Sequence, residues 1–208
     1  MIFEIIVVGH LGVNCFVVGC EKSGVGVVVD PGADGEEILA VVAKHGLKIE
    51  KIINTHGHFD HIGANKLLKD TTGAELLIHD RDTPYLSRAA EVATMYGLKA
   101  DNSPLPDRFL TDGLELLFGE CRMIVLHTPG HTPGGCCLYF PEEGKVITGD
   151  TLFAESVGRT DLPGGSAELL IDSIRNRLLP LPDETLVYPG HGPESSIGHE
   201  KRHNPYLG

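Results

Sequence analysis

The stretch that decides the reading is Thr55-His56-Gly57-His58-Phe59-Asp60-His61, which follows the short apolar run Ile49–Asn54. Three imidazoles and a carboxylate packed this closely form a dense set of donors for divalent ions. His56 and His58 lie two apart, so an extended loop turns both toward one side. Asp60 and His61 run on into a helical pattern that continues to Lys69, which lets them reach a second ion.

Three later segments repeat the arrangement. Ile124-Val125-Leu126 leads to His127 and His131 in the run His-Thr-Pro-Gly-His-Thr. Val146-Ile147 leads to Thr148-Gly149-Asp150, and Leu186-Val187-Tyr188 leads to Pro189-Gly190-His191. In each case an apolar strand delivers a donor through a glycine-containing turn. Strands that share one sheet edge would make these loops converge on one pocket, and glycine lets the main chain come close to whatever lies there. The candidate metal ligands are therefore His56, His58, Asp60, His61, His131, Asp150 and His191. Seven donors are too many for one four-coordinate ion. They suit two divalent ions that share Asp150 and a bridging water or hydroxide. Zinc is the expected metal, and iron or manganese fit the same nitrogen and oxygen donors.

Of the eleven histidines, His10, His45, His79, His199 and His203 read as ordinary polar or structural residues. His127, beside the cluster, is ambiguous: it reads as a partner that orients a ligand, with ligation itself the lesser alternative. Asp30, which closes a strand at Asp30-Pro31-Gly32, reads as a turn or supporting residue.

Around these motifs the chain alternates short strands with helices. Strands are predicted at Phe3–Val8, Asn14–Val18, Val25–Val29, Ala74–Ile78, Leu114–Phe118, Arg122–Leu126, Cys137–Phe140, Val146–Thr148 and Leu186–Tyr188. Helices are predicted at Gly35–Gly46, His61–Lys69, Thr83–Gly97 and Ala167–Leu178. Phe153–Gly165 reads as a glycine-rich loop, and the residues after Tyr188 as a polar tail.

Length and charge narrow the classes. A chain of 208 residues fits one domain, 1–208, with a core large enough to need no disulfides. Seventeen basic against 29 acidic residues give a net charge of −12 with no Lys/Arg run, which argues against nucleic acid and anionic membrane surfaces as partners. A small-molecule substrate is expected. The five cysteines are odd in number, contain no C-x-x-C pair and read as reduced thiols; with no leader and no apolar span, the cytoplasm is the expected compartment.

Taken together, Asp30-Pro31-Gly32, Thr55–His61, His131 within His127–Thr132, Gly149-Asp150 and Gly190-His191 resemble the metallo-beta-lactamase-fold hydrolases over nearly the whole chain. The resemblance implies an α/β fold, a four-layer αββα sandwich of two mixed sheets flanked by helices. It implies one ion held by His56, His58, His131 and Asp150, and another by Asp60, His61, His191 and Asp150.

Gly149-Asp150-Thr151-Leu152-Phe153 and Gly158-Arg159 are similar to glyoxalase II and its short bacterial relatives. That likeness implies hydrolysis of a hydroxyacyl thioester such as S-lactoylglutathione, with Asp60 catalytic and Arg159 meeting a substrate carboxylate. Two departures separate the chain from glyoxalase II proper. Only 17 residues follow His191 where that family carries a helical glutathione-binding domain, and its aromatic contacts are replaced here by Asp161 and Pro193. Arg159 paired with Asp161, as a brace for its own loop, is the plainer alternative.

The run Gly158-Arg159-Thr160-Asp161 also resembles persulfide dioxygenases of the same superfamily, which implies a single iron on His56, His131 and Asp150. Lactonases share the ligand pattern, and a non-catalytic metal-binding role is the remaining alternative. Zinc-cysteine lactamases would carry Cys at position 150, and nucleases handle polyanions that the acidic charge opposes.

Overall fold

The computed structural model describes all 208 residues, and the chain divides into two compact units. The first is Met1–Leu110 with Leu117–Cys121; the second is Thr111–Leu116 with Arg122–Gly208.

In the first unit, β1 (Ile2–Val8), β2 (Val13–Gly19), β3 (Val25–Val29), β4 (Lys48–Ile53), β5 (Glu75–His79) and β6 (Arg108–Leu110) form one sheet in chain order. The first three strands pair antiparallel through tight turns. From β3 to β6 the pairing is parallel, which requires long crossovers, and α1 (Gly35–Lys44) and α3 (Asn65–Thr72) supply the first two.

All seven residues of β2 are buried, as expected of an apolar strand covered on both faces. One face carries Val13, Cys15 and Val17 beside Val28, Ile52 and Leu76, and packs against Ile38 and Val42 of α1 and Leu68 of α3. Each such side chain contributes about 1.5–3 kcal/mol of burial. This core fixes the ends of β3 and β4, from which Asp30 and the histidine loop emerge. The short helix α2 (Phe59–Ile62), with α4 (Thr83–Leu86) and α5 (Ala89–Met95), builds a satellite cluster of Ile62, Ile78, Leu86 and Ala89.

The second unit contains the first half of β7 (Glu115–Phe118), all but the first residue of β8 (Cys121–His127), and β9 (Cys136–Phe140) and β10 (Lys145–Gly149). The small hairpin β11 (Leu152–Phe153) with β12 (Ser156–Val157) comes next, then α6 (Ala167–Ser173), β13 (Leu186–Pro189), β14 (Ser195–Ser196) and α7 (Ile197–His203). Its main sheet runs β14-β13-β10-β9-β8-β7 and mixes the parallel β10–β13 pair with antiparallel neighbours. Leu170, Ile174 and Leu178 cover a face made by Leu126, Cys137, Val146 and Val187. Both units are thus mixed sheets with helices against them, the α/β class read from the sequence.

Four local expectations change. The helix predicted over Thr83–Gly97 is broken between α4 and α5, where Arg88 N bonds Tyr85 O at 3.0 Å and the turn sends Leu86 and Ala89 into one cluster. The helix predicted over Ala167–Leu178 widens into a π turn at Ile174–Leu178. The presumed loop Phe153–Gly165 contains β12, whose partner β11 begins just before it. The polar tail is folded: Ser196 caps α7 by accepting from His199 N at 3.2 Å, and Lys201, Arg202 and His203 offset the negative end of the helix. No helix is long and apolar enough to cross a membrane. All five cysteines are free thiols.

Candidate metal centre

The first unit assembles the histidine loop around one buried carboxylate. Asp30 leaves β3 in the left-handed conformation, φ 50°, with its side chain wholly buried. Its Oδ1 accepts from Thr55 N at 2.7 Å, and its Oδ2 accepts from Thr55 Oγ1 at 2.6 Å. The same Oδ2 lies 3.0 Å from His61 Nδ1. Thr55 Oγ1, having donated to Asp30, takes the Nδ1 proton of His56 at 3.1 Å.

The network therefore places the proton of both rings on Nδ1 and turns both Nε2 lone pairs the other way, the arrangement of metal-ligating histidines. Asp30 shares the donor cluster with His56 and His61, all ligand atoms within 4.8 Å. Its two oxygens are already engaged by Thr55 and His61, so it acts as the orienting group. The supporting role read for it from the sequence is the one the geometry gives.

The rings of His56 and His58 lie 4.8 Å apart and those of His56 and His61 4.1 Å apart. Asp60 Oδ2 is 3.9 Å from His61 Nε2. Asn54 anchors the loop by donating to His61 O at 3.1 Å. Asp82, fully buried, accepts from Gly57 N at 2.9 Å. The Tyr85 ring meets His58 edge-on at 5.6 Å, and burial followed by the nearby Asp82 raises the Tyr85 hydroxyl above its usual pKa. Gly32 is obligatory, because a Cβ there would sit 1.6 Å from Asp60 O.

The second unit gathers its donors from three separated loops. Asp150 follows β10 and His191 follows β13; the strands are parallel neighbours, so both loops leave one edge, tied by Gly190 N to Gly149 O at 2.8 Å. His131 Nε2 lies 3.5 Å and His191 Nε2 3.7 Å from the same oxygen, Asp150 Oδ2. A ring nitrogen and a carboxylate oxygen bound to one ion at about 2.0–2.2 Å are separated by comparable spans. The Nδ1 of His131 donates to the main-chain oxygen of Arg159 at 2.8 Å. Gly158 makes that approach possible, since a Cβ there would fall 1.9 Å from Asp150 O.

All seven sequence candidates thus lie in donor groups, four in the first unit and three in the second. Arg159 is placed beside His131 by its backbone, while its guanidinium grips Asp161 with two bonds of 2.8 Å. That pairing holds the Asp161 carboxyl down at about 2. His127 turns Nε2 to Pro133 O at 3.1 Å. His45, His79 and His199 pair with Glu4, Asp80 and Glu155.

Sequence reading missed Asn54, Thr55, Asp82, Tyr85 and the Arg159 carbonyl as parts of the site. Thr55 carried a signal, a hydroxyl directly before the first histidine. Asp82 and the carbonyl carried none.

The profile of the metallo-beta-lactamase superfamily matches residues 8–191. Hydroxyacylglutathione hydrolase GloC of Haemophilus influenzae is 37% identical over 209 aligned residues, covering 100% of this chain and 98% of that protein. The crystal structure of TTHA1623 in a di-iron-bound form superposes with a TM-score of 0.90 at 41% identity, covering 98% of this chain and 100% of that one. The crystal structure of the B3 metallo-beta-lactamase BLEG-1 superposes with a TM-score of 0.92 at 37% identity, covering 99% of both. The fold is theirs, and the chain belongs to the metallo-beta-lactamase superfamily.

Proposed function

We propose that the chain is a binuclear metal-dependent thioester hydrolase acting on a hydroxyacyl thiol, with residues 1–208 working as one functional domain. The observation that carries the two-ion reading is the convergence of His131 and His191 on a single oxygen of Asp150. A carboxylate flanked in this way is suited to sit between two ions. His56, His58 and His131 would hold one, and Asp60, His61 and His191 the other, with Asp150 shared. The superfamily profile, which spans residues from both units, supports joining the two halves. The donors fit the group: imidazoles whose Nδ1 sides are held, with carboxylates beside them.

Two divalent ions bound there would act as Lewis acids and bring the pKa of a shared water toward about 7. Asp60, beside His61, holds the attacking water and accepts its proton. Asp30 keeps His61 and, through Thr55, His56 aimed inward while charge develops. The departing thiolate needs little help from a general acid, because thiols have pKa values near about 8.5.

The name of the Haemophilus relative supports a glutathione-type carrier, and Arg159 is the cation for a substrate carboxylate, exchanging Asp161 for it. Zinc is the proposed metal, and the di-iron form of TTHA1623 gives iron standing beside it. An iron centre keeps the persulfide dioxygenase as the second reading. The acidic charge supports a small molecule rather than nucleic acid or a membrane as partner, and the free thiols support the cytoplasm.

Elemental analysis of the purified protein paired with three assays tests this. About two ions per chain with thiol release from S-lactoylglutathione is the expected result. One iron with oxygen consumption on glutathione persulfide would replace it with the dioxygenase. Bound metal with turnover only on lactones or β-lactams would move the reaction to those substrates.

A further inference from the structure

The fold buries a carboxylate in its C-terminal helix that the proposed chemistry does not use. Glu200, on α7, is wholly buried, and it does not contact any of the seven candidate ligands directly. Its Oε2 accepts from Glu155 N at 2.9 Å and from Asn204 Nδ2 at 2.8 Å. Its Oε1 accepts from the Ser195 hydroxyl. Asn204 Nδ2 also donates to Ser156 O at 3.0 Å.

Glu155 lies in the turn of the β11–β12 hairpin and Ser156 begins β12, and Glu155 is held in the left-handed conformation at φ 54°. A non-glycine residue in that region persists only where its surroundings hold it. Here Glu200 and Asn204 supply the hold.

The hairpin leads directly to the site. Val157 pairs with Leu152, Gly158 N bonds Thr151 O at 3.3 Å, and the next carbonyl, that of Arg159, takes the Nδ1 proton of His131. Two turns of contact therefore connect the C-terminal helix to the tautomer of a candidate ligand. The helix itself is firmly seated: Ile197 is fully buried in the core, and Gly198 N bonds Asp183 O at 2.9 Å.

We propose that Glu200 is a positioning residue: through the β11–β12 hairpin it holds the Arg159 carbonyl against His131 Nδ1 and so presents Nε2 beside Asp150. The inference rests on the metal-centre reading for its consequence, and not for its geometry. An acceptor role explains why a carboxylate is buried here. A glutamine keeps it, because its carbonyl can face Glu155 N and Asn204 while its amide donates to the Ser195 oxygen. A leucine removes it and leaves buried donors unpaired.

The test compares Glu200→Gln and Glu200→Leu in the full chain. In the metal-free protein at pH 8, nitrogen NMR of the imidazoles reads the His131 tautomer. Wild type and Glu200→Gln should hold the proton on Nδ1, and Glu200→Leu should show exchange between the two tautomers. Zinc affinity, measured by competition with a chromophoric chelator, should fall by about 10–100-fold in Glu200→Leu and stay within about threefold in Glu200→Gln.

If Glu200→Leu does not fold, Asn204→Ala, which removes the Ser156 and Glu200 contacts of that side chain, takes its place with a smaller shift in the same direction. A folded Glu200→Leu with wild-type tautomer and zinc affinity would overturn the proposal and leave Glu200 a staple of the tail. A wild type that binds no zinc would overturn the metal-centre reading alone, since the tautomer measurement stands without metal.

Discussion

The donor groups of the two units orient their histidines by different means. In the first unit the brace is a side chain: Asp30 reaches His61 directly and His56 through Thr55. In the second the brace is main chain: the carbonyl of Arg159 holds His131. A side-chain brace can be deleted by one substitution. A carbonyl survives every substitution at its own residue and fails only when the loop that carries it moves. Mutations therefore probe the two halves by different routes, and residue identity means less in the second.

The largest effect is expected at Asp60, the carboxylate of the first unit proposed to take the proton. Asp60→Asn should keep the fold and lower turnover by about 10²–10⁴-fold, read as kcat on the thioester with circular dichroism as control. Near wild-type turnover would remove Asp60 from its assigned role.

Asp30→Asn comes next and tests the side-chain brace. The amide would set a donor against Thr55 Oγ1 or His61 Nδ1, so two rings lose their orientation at once. Metal affinity should fall by about 10–100-fold in a chelator competition. Unfolding free energy should drop by about 1–3 kcal/mol, since donors are left unpaired in a fully buried place. Unchanged affinity would erase the contrast between the halves.

The smallest change is expected at Arg159→Ala, where the comparison is sharpest. The carbonyl stays, so metal content should hold. KM for an anionic thioester should rise severalfold, while KM for a neutral one stays level. Equal losses on both substrates, or loss of metal, would make Arg159 a brace of its loop.

The Asp161 partner gives this variant a second readout. Its folded pKa, held down at about 2 by the Arg159 hydrogen bonds, lies below the ordinary 3.8. The pair's stabilisation is therefore complete above pH 3.8 and disappears as pH falls through about 2. At neutral pH the pair is intact, and a substrate carboxylate bound by Arg159 would have to displace Asp161. In Arg159→Ala a carboxyl titration of Asp161 should move up toward 3.8.

The first half was legible because its donors are contiguous: His56 to His61 can be read in a single window, and the apolar run before them places the loop after a strand. The donors of the second half were legible one by one through their strand–glycine–donor form. The tautomer control at His131 was not, because any residue at 159 offers the same carbonyl. Asp82 was hidden for a different reason. It reaches Gly57 N across 25 positions, and nothing in Arg81-Asp82-Thr83 signals a buried acceptor.

The folded tail was missed although it carried signs, with Ser196 at the cap and basic residues in the last turn. Its polarity suggested a solvated end, when Glu200 and Asn204 are polar because they bind backbone. The break in the predicted Thr83–Gly97 helix follows from packing, which no local preference records.

The parallel pairing of β10 with β13 has a consequence for how the protein lives with and without metal. Val146, Ile147 and Val187 are fully buried, so the strands that lead to Asp150 and His191 are locked by core packing and their own pairing. An ion bound at the proposed centre would therefore meet donors framed by the core, in contrast to small zinc domains that fold only around their metal. Loss of such an ion would be an exchange event rather than an unfolding event. Refilling would then require no refolding.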